Sequence, residues 1–159
     1  MKKNLTEDGN EMTFQSNHLG HFLLTNLLLD KIKESQAARI INVSSMGHTE
    51  KFLPIGQFDL DDLNYEKRGW PEDFMIPYAA TKLANVLFTK ELARRLGTEN
   101  NHVTTYTLHP GVIETEIWRD FSSKLFYYLC QIIFYPIVKL IFKNSRYTRF
   151  LEVMSISHE

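Results

Sequence analysis

The sequence predicts an α/β fold built on a parallel sheet with flanking helices, and three observations predict it. An apolar helical pattern, a β-branched run, a second helical pattern and a second β-branched run follow one another, which is the rhythm of a parallel α/β sheet. The length, 159 residues, suits one domain of ordinary size. Apolar residues make up 43% and charged residues 23%, enough for a real core and too few charges for a disordered chain.

Each element follows from its residues. Met1 to Glu11 is polar and carries an Asp8-Gly9 turn signal. Phe14, Leu19, Leu23, Leu27 and Leu28 then recur at helical spacing, predicting a helix from Met12 to about Glu34. More than half its circumference is apolar, so it is expected to lie sandwiched between the sheet and another layer. Arg39 to Ser44 (RIINVS) reads as a buried strand. Met46 to Met75, with three glycines and two prolines, reads as a long irregular stretch, and genuine loops of that length are usually functional. A second helix is expected from Pro77 to Leu96 on Ala80, Leu83, Ala84, Leu87, Phe88 and Leu92, stopped by Gly97. His102 to Leu108 (HVTTYTL) is a second strand, ended by Pro110-Gly111. Leu125 to Phe142 is nearly all apolar, but Gln131, Pro136 and Lys139 interrupt it and its 18 residues sit at the lower limit for crossing a bilayer. A buried or interfacial helix pair broken at Pro136 is expected there. Lys143 to Glu159 is polar, and no strand is expected in it.

Charge and cysteine content exclude several classes. Eighteen basic against nineteen acidic side chains give a net charge of −1, which is no footprint for nucleic acid. Cys130 stands alone in an apolar run, reads as inert packing, and asks for no oxidising compartment. The first twenty residues carry Lys2, Lys3, Glu7, Asp8 and Glu11 without an apolar run, unlike a signal peptide. An intracellular protein is expected, not a secreted one.

Few residues can do chemistry. Tyr78 and Lys82 are four apart on the second helix, on one face and within reach of a common ligand. A phenol is a poor base at neutral pH, and a nearby cation favours the phenolate, so the pair can donate and accept a proton near neutrality. The commonplace alternative is a surface pair. Asn42-Val43-Ser44-Ser45 lies at the carboxyl end of the first strand, where ligands gather in open α/β sheets; the serines either bond a substrate oxygen or only satisfy the strand end. Asn17 is an unfavourable residue early in a helix, which suggests a kink or a buried hydrogen bond. His18 and His21 lack a third ligand at sensible spacing, so no metal is expected. The acids of Asp59 to Asp62 read as a solvated loop.

Together these residues resemble the short-chain dehydrogenase/reductase family. Asn17-His18-Leu19-Gly20-His21-Phe22, the strand end Asn42-Val43-Ser44-Ser45, Tyr78-x-x-x-Lys82 and His109-Pro110-Gly111 stand in that family's order. NHLGHFLLT, TKLANVLFT (Thr81 to Thr89) and TYTLHPGV are similar to its retinol dehydrogenase branch, and the likeness runs from about Thr6 to Glu116. The resemblance implies a partial Rossmann-like α/β fold, Tyr78 as catalytic acid/base, and Lys82 as the group that tunes it and binds the cofactor ribose. It implies Ser45 as the group that holds the substrate oxygen and Asn17 as support for a proton-relay water at a bend in the first helix. Pro110, Gly111, Val112, Ile113 and Thr115 match the family's Pro-Gly-x-x-x-Thr segment along the nicotinamide.

The departures are as informative. The glycines are 9, 20, 47, 56, 69, 97 and 111, and none forms the Gly-x-x-x-Gly-x-Gly turn that holds the pyrophosphate. The expectation is therefore a domain truncated at both ends: residues 1–142 as its catalytic half, and 143–159 as an unaligned tail. The implied activity is hydride transfer between NADP, with NAD as the alternative, and a lipophilic alcohol or aldehyde of retinol/retinal type, with the 159 residues alone inactive. The implied partners are that small molecule, a membrane surface, and a second copy through the helices carrying Asn17 and Tyr78. The implied location is the cytoplasm or the cytoplasmic face of a membrane such as the endoplasmic reticulum. The rival reading is a truncated, non-enzymatic product that binds a partner or a membrane surface.

Overall fold

The computed structural model describes residues 3–49, 53, 58–73, 75–97 and 102–110, with the backbone of 152–155. Apart from Pro110 these residues fall in one compact unit, Lys2–His109 with Glu152–Glu159. The apolar run Leu125 to Phe142 with Cys130, and Gly111 to Thr115, lie outside the described residues.

The Asp8-Gly9 turn forms as expected, with Gly9 at φ +78°, a conformation open to glycine because it has no Cβ. The turn lets Leu5 bridge to Glu11. Buried Glu11 then caps the first helix: its carboxylate accepts from Thr13 N at 2.9 Å and Phe14 N at 2.7 Å, satisfying two otherwise unbonded donors. Helix α1 (Met12–Phe14) passes into a π-helical turn, Gln15–Leu19, and then into α2 (Gly20–Lys33). The expected single α-helix is thus a composite. Gly20 N donates to Gln15 O, five residues back, and such turns mark functional sites more often than chance.

Strand β1 (Ala38–Val43) pairs in parallel with β2 (Val103–His109), Ile40 opposite Thr105 and Asn42 opposite Thr107. Helix α3 (Met75–Leu96) lies between them in sequence. Asp73 Oδ1 accepts from Met75 N at 2.9 Å, and Gly97 ends the helix at φ +55°. The tail corrects one expectation: Glu152–Ser155 forms a third strand, β3, antiparallel to β2, with Tyr106 opposite Ser155 and His109 opposite Glu152. Four residues, EVMS, are too few for an alternating pattern to stand out.

Most of the buried residues of α3 are small, Ala79, Ala80, Thr81, Ala84, Asn85, Thr89 and Ala93, so its backbone can lie close to the sheet there. Ile40, Leu92, Leu96 and Val103 form one apolar cluster, backed by Leu29, Ile32 and Phe88. Leu53, Ala79 and Ala80 form another, flanked by Phe58, Ile76 and Leu83. Between sheet and helix runs a buried polar ladder. Asn42 Nδ2 donates to Thr89 Oγ1 at 2.8 Å, Thr89 Oγ1 donates to Asn85 O at 2.7 Å, and Thr105 Oγ1 reaches Thr89 O at 3.3 Å. Each buried polar group there has a partner, which is the condition for tolerating it.

Two expectations are overturned. Helix α2 is not sandwiched: Phe22, Leu23, Leu24, Leu27 and Leu28 are exposed, Leu27 at 72%, while Leu29 and Ile32 alone of its apolar residues pack on the first cluster. On the sheet, Ile41 and Val43 are likewise exposed. Second, the Asp59 to Asp62 loop is not wholly solvated. Asp62 is buried and accepts from the backbone N–H of Glu66 at 2.7 Å, Lys67 at 3.0 Å and Arg68 at 3.0 Å, and from Arg68 Nε at 3.2 Å. These donors, led by the Lys67 amide, pull its pKa down from 3.8 to about 2. The loop is folded around one carboxylate. Among the described residues no helix is long and apolar enough to cross a membrane.

Candidate active site

Three of the four expected catalytic residues gather where β1 ends beside the first half of α3. The strand delivers Ser44 and Ser45 just beyond Val43. Ser44 is tied down structurally: its N donates to Leu108 O at 2.7 Å and its Oγ to Lys82 O at 2.8 Å. Ser45 is half-buried and caps the turn Met46–His48, its Oγ accepting from Gly47 N at 3.1 Å. That bond uses the oxygen as acceptor and leaves its proton available to a ligand. A Cβ placed on Gly47 would stand 3.5 Å from both Ser45 Oγ and Tyr78 Cε1, so the two side chains approach each other across this glycine.

Tyr78 and Lys82 share a face of α3 as their spacing requires, and Lys82 Nζ lies 5.5 Å from the Tyr78 ring centroid, within cation–π range. Lys82 Nζ also donates to Val43 O at 3.4 Å. No acidic group among the described residues forms an ion pair with Lys82, and burial alone pulls its pKa below the usual lysine value. An ammonium with three donors, half out of water and holding one long contact, is suited to take hydroxyl groups of a bound molecule.

Asn17 enters from the π-helical turn. Its side-chain Nδ2 lies 3.3 Å from Thr81 Oγ1, and Thr81 Oγ1 donates to Tyr78 O at 2.7 Å, a chain that links the turn to the first coil of α3. Its carbonyl takes two side-chain groups, Asn85 Nδ2 at 3.1 Å and His21 Nδ1 at 3.1 Å. Of the kink and the buried hydrogen bond offered as readings of Asn17, the structure shows a π-helical irregularity at this residue and a side-chain hydrogen bond that is half-buried. Of the cofactor segment, Pro110 directly follows β2, and Gly111, Val112, Ile113 and Thr115 lie outside the described residues.

Sequence reasoning missed three neighbours: Gly47, Thr81 and Asn85. Gly47 carries no local signature. Thr81, Asn85 and Thr89 do, because three polar residues four apart interrupt an otherwise apolar helix face, and buried polar residues at regular spacing imply partners on the opposing layer.

Comparison with known proteins bears on the same residues. The short chain dehydrogenase family matches residues 69–125, the stretch holding Tyr78 and Lys82. Retinol dehydrogenase 13 of Homo sapiens is 54% identical over 114 residues, 72% of this chain and 32% of that protein. Retinol dehydrogenase 14 of Homo sapiens is 51% identical over 120 residues, 76% of this chain and 33% of that one. Retinol dehydrogenase 12 of Homo sapiens is 47% identical over 136 residues, 84% of this chain and 38% of that one. A crystal structure of an uncharacterised protein from Mycobacterium Paratuberculosis superposes with a TM-score of 0.59 at 38% identity, covering 81% of this chain and 45% of that chain. The chain spans about a third of the length of these retinol dehydrogenases. Its fold is a partial Rossmann-like α/β sheet with flanking helices, and the chain belongs to the short-chain dehydrogenase/reductase family, in the retinol dehydrogenase-like branch.

Proposed function

We propose that these residues serve an oxidoreductase that moves a hydride between a nicotinamide cofactor and a lipophilic primary alcohol or its aldehyde, of the retinol/retinal class. NADP is the first choice of cofactor and NAD the alternative. The observation that carries the reading is the Tyr78–Lys82 pair beside Ser45, with a lysine that has no acidic partner among the described residues. The bound nicotinamide supplies the hydride acceptor or donor. In this reading Ser45 Oγ holds the substrate oxygen by donating its proton, and Tyr78 takes or returns the hydroxyl proton. Lys82 holds the ribose hydroxyls and keeps a positive charge beside the phenol. Asn17 fixes the turn that closes the site from the helix side. Pro110, Gly111, Val112, Ile113 and Thr115 are assigned to the nicotinamide on the strength of the Pro-Gly-x-x-x-Thr pattern.

The test uses the longest polypeptide the gene encodes around these residues. Tyr78→Phe should lower kcat by about 10²- to 10⁴-fold while cofactor affinity stays within a few-fold, since only a transferable proton is removed. Full turnover in that variant overturns the reading. Lys82→Met should damage both turnover and cofactor binding. The 159 residues taken alone carry no Gly-x-x-x-Gly-x-Gly turn and should be inactive, binding NADPH only in the millimolar range; micromolar binding in a calorimetric titration contradicts this.

The exposed row Leu23, Leu24 and Leu27 on α2 supports a second copy of the chain as partner, packed on the helices that carry Asn17 and Tyr78. The apolar run Leu125 to Phe142 supports a reversible seat on the cytoplasmic surface of a membrane. Release by mild detergent is the expected behaviour, and full recovery in the soluble fraction without detergent argues against it.

A further inference from the structure

Building on the oxidoreductase reading, we propose that Asn85 is a positioning residue: it clamps the π-helical turn of Asn17 to the end of β1 and so determines where Lys82 stands. Asn85 follows Lys82 by three residues, hence about one helical turn, and it is 3% exposed. Its side chain touches both elements that frame the site. Nδ2 donates to Asn17 O at 3.1 Å and to Val43 O at 3.3 Å, and Oδ1 lies 2.8 Å from His18 Nδ1.

The orientation of this amide is dictated by its neighbours. Two carbonyl oxygens need donors, so the NH2 group must face them; the reversed amide would set its oxygen against both. Oδ1 therefore faces His18, and the hydrogen in that contact has to come from His18 Nδ1. The imidazole is thus held as its Nδ1–H tautomer, the minor form of a free neutral histidine. Burial pulls the pKa of His18 below the usual value, which favours the neutral ring. Phe14, Phe22 and Phe88 surround it at ring centroid distances of 5.2, 6.0 and 6.2 Å, so the ring is packed as well as bonded.

The consequence for the site runs through Val43 O. That carbonyl receives Asn85 Nδ2 at 3.3 Å and Lys82 Nζ at 3.4 Å. With the amide in place the ammonium holds only a long contact and stays over the Tyr78 ring. Without it, the carbonyl has Lys82 as its sole side-chain donor among the described residues and draws the ammonium toward the strand. The Asn17 carbonyl loses its bond to α3 at the same moment and keeps only His21 as a side-chain partner, which leaves the turn tied to α3 by the long Asn17 Nδ2–Thr81 Oγ1 contact of 3.3 Å.

Long-range ¹H–¹⁵N correlation on the histidine-labelled 159-residue chain reads the clamp directly. The unaltered chain should show His18 protonated at Nδ1, and an Nε2–H tautomer overturns the proposal before any variant is made. Asn85→Asp keeps the shape but cannot donate to either carbonyl. Together with Asn85→Ala, it should raise amide exchange across Gln15 to Gly20 by about tenfold or more. In Asn85→Ala, which leaves His18 no oxygen to bond, the histidine signal should also move to Nε2–H. Retention of the Nδ1–H signal in Asn85→Ala, or of slow exchange in both variants, refutes the clamp.

Turnover separates this proposal from the reading beneath it. In the longest encoded polypeptide, Asn85→Ala should lower kcat about 10- to 100-fold with little change in the KM for the alcohol, as expected for misplaced rather than missing groups. Full kcat in that variant overturns the positioning role and leaves the oxidoreductase reading intact. No turnover in the unaltered protein overturns the oxidoreductase reading, and the tautomer and exchange results then decide for or against the clamp by themselves.

Discussion

Thr89→Val probes the bond that ties β1 to α3. Thr89 is fully buried; its hydroxyl donates to Asn85 O at 2.7 Å and accepts from Asn42 Nδ2 at 2.8 Å. Valine has nearly the same volume, so no cavity opens and the loss is polar. Asn85 O loses a second partner, worth about 1 kcal/mol, while the buried Asn42 amide loses its acceptor, worth about 1–3 kcal/mol. The expected destabilisation is about 2–4 kcal/mol, against total stabilities of about 5–15 kcal/mol for ordinary domains. In a chain of this length that corresponds to a fall in Tm of about 5–15 °C. Urea unfolding followed by circular dichroism measures it. Asn42→Leu in the Thr89→Val background should recover part of the loss, because removing both polar partners removes the stranded amide. A single variant within about 0.5 kcal/mol of the parent, or a double variant whose losses simply add, would refute the reasoning.

Three further outcomes are expected. The Asp62 carboxyl is held near 2 instead of 3.8, so its stabilisation is complete above the unfolded value and is lost as pH falls from about 4 toward 2; the urea midpoint should fall across that window in the parent and much less in Asp62→Asn. Glu91, exposed and paired with Arg94 and Arg95, is also held near 2, but solvent screens it, so the difference between parent and variant isolates Asp62. Gly97→Ala should cost about 1 kcal/mol, since its φ of +55° strains any L side chain although the added Cβ would meet nothing nearer than Arg94 O at 3.8 Å; an unchanged midpoint contradicts it. Leu27→Lys should leave stability within about 0.5 kcal/mol yet weaken self-association in sedimentation equilibrium, and undiminished association would count against α2 as the surface for a second copy.

The elements with strong local signals were legible in the sequence. Helix α3 and the strands at Ala38–Val43 and Val103–His109 lie within two residues of expectation, because Gly97 and Pro110 punctuate them chemically. Tyr78, Lys82 and Ser45 were legible as a set because their order along the chain echoes a family. The π-helical turn was not, since one extra residue in a helix leaves the local composition unchanged. The burial of Asp62 was hidden too: a carboxylate that collects the next turn's backbone amides looks, in sequence, like any acidic loop. The exposure of α2 runs against its leucines, for periodicity shows that a face is apolar and not that anything covers it. Asn85 was overlooked because its partners are 42 and 68 residues away.

The π-helical turn Gln15–Leu19 has a geometric consequence for everything downstream of it. Each α-helical residue advances the side-chain direction by about 100°, so a single surplus residue rotates the rest of α2 by roughly that angle about its own axis. The same leucines in an uninterrupted helix would point elsewhere. A deletion of one residue inside the turn would restore regular winding and give a helix of better local hydrogen bonding. It would also swing Leu27 and its neighbours away from their present direction and remove the π-helical turn that presents Asn17. Local regularity and the presentation of the site are therefore opposed in this helix, and the chain keeps the irregular form.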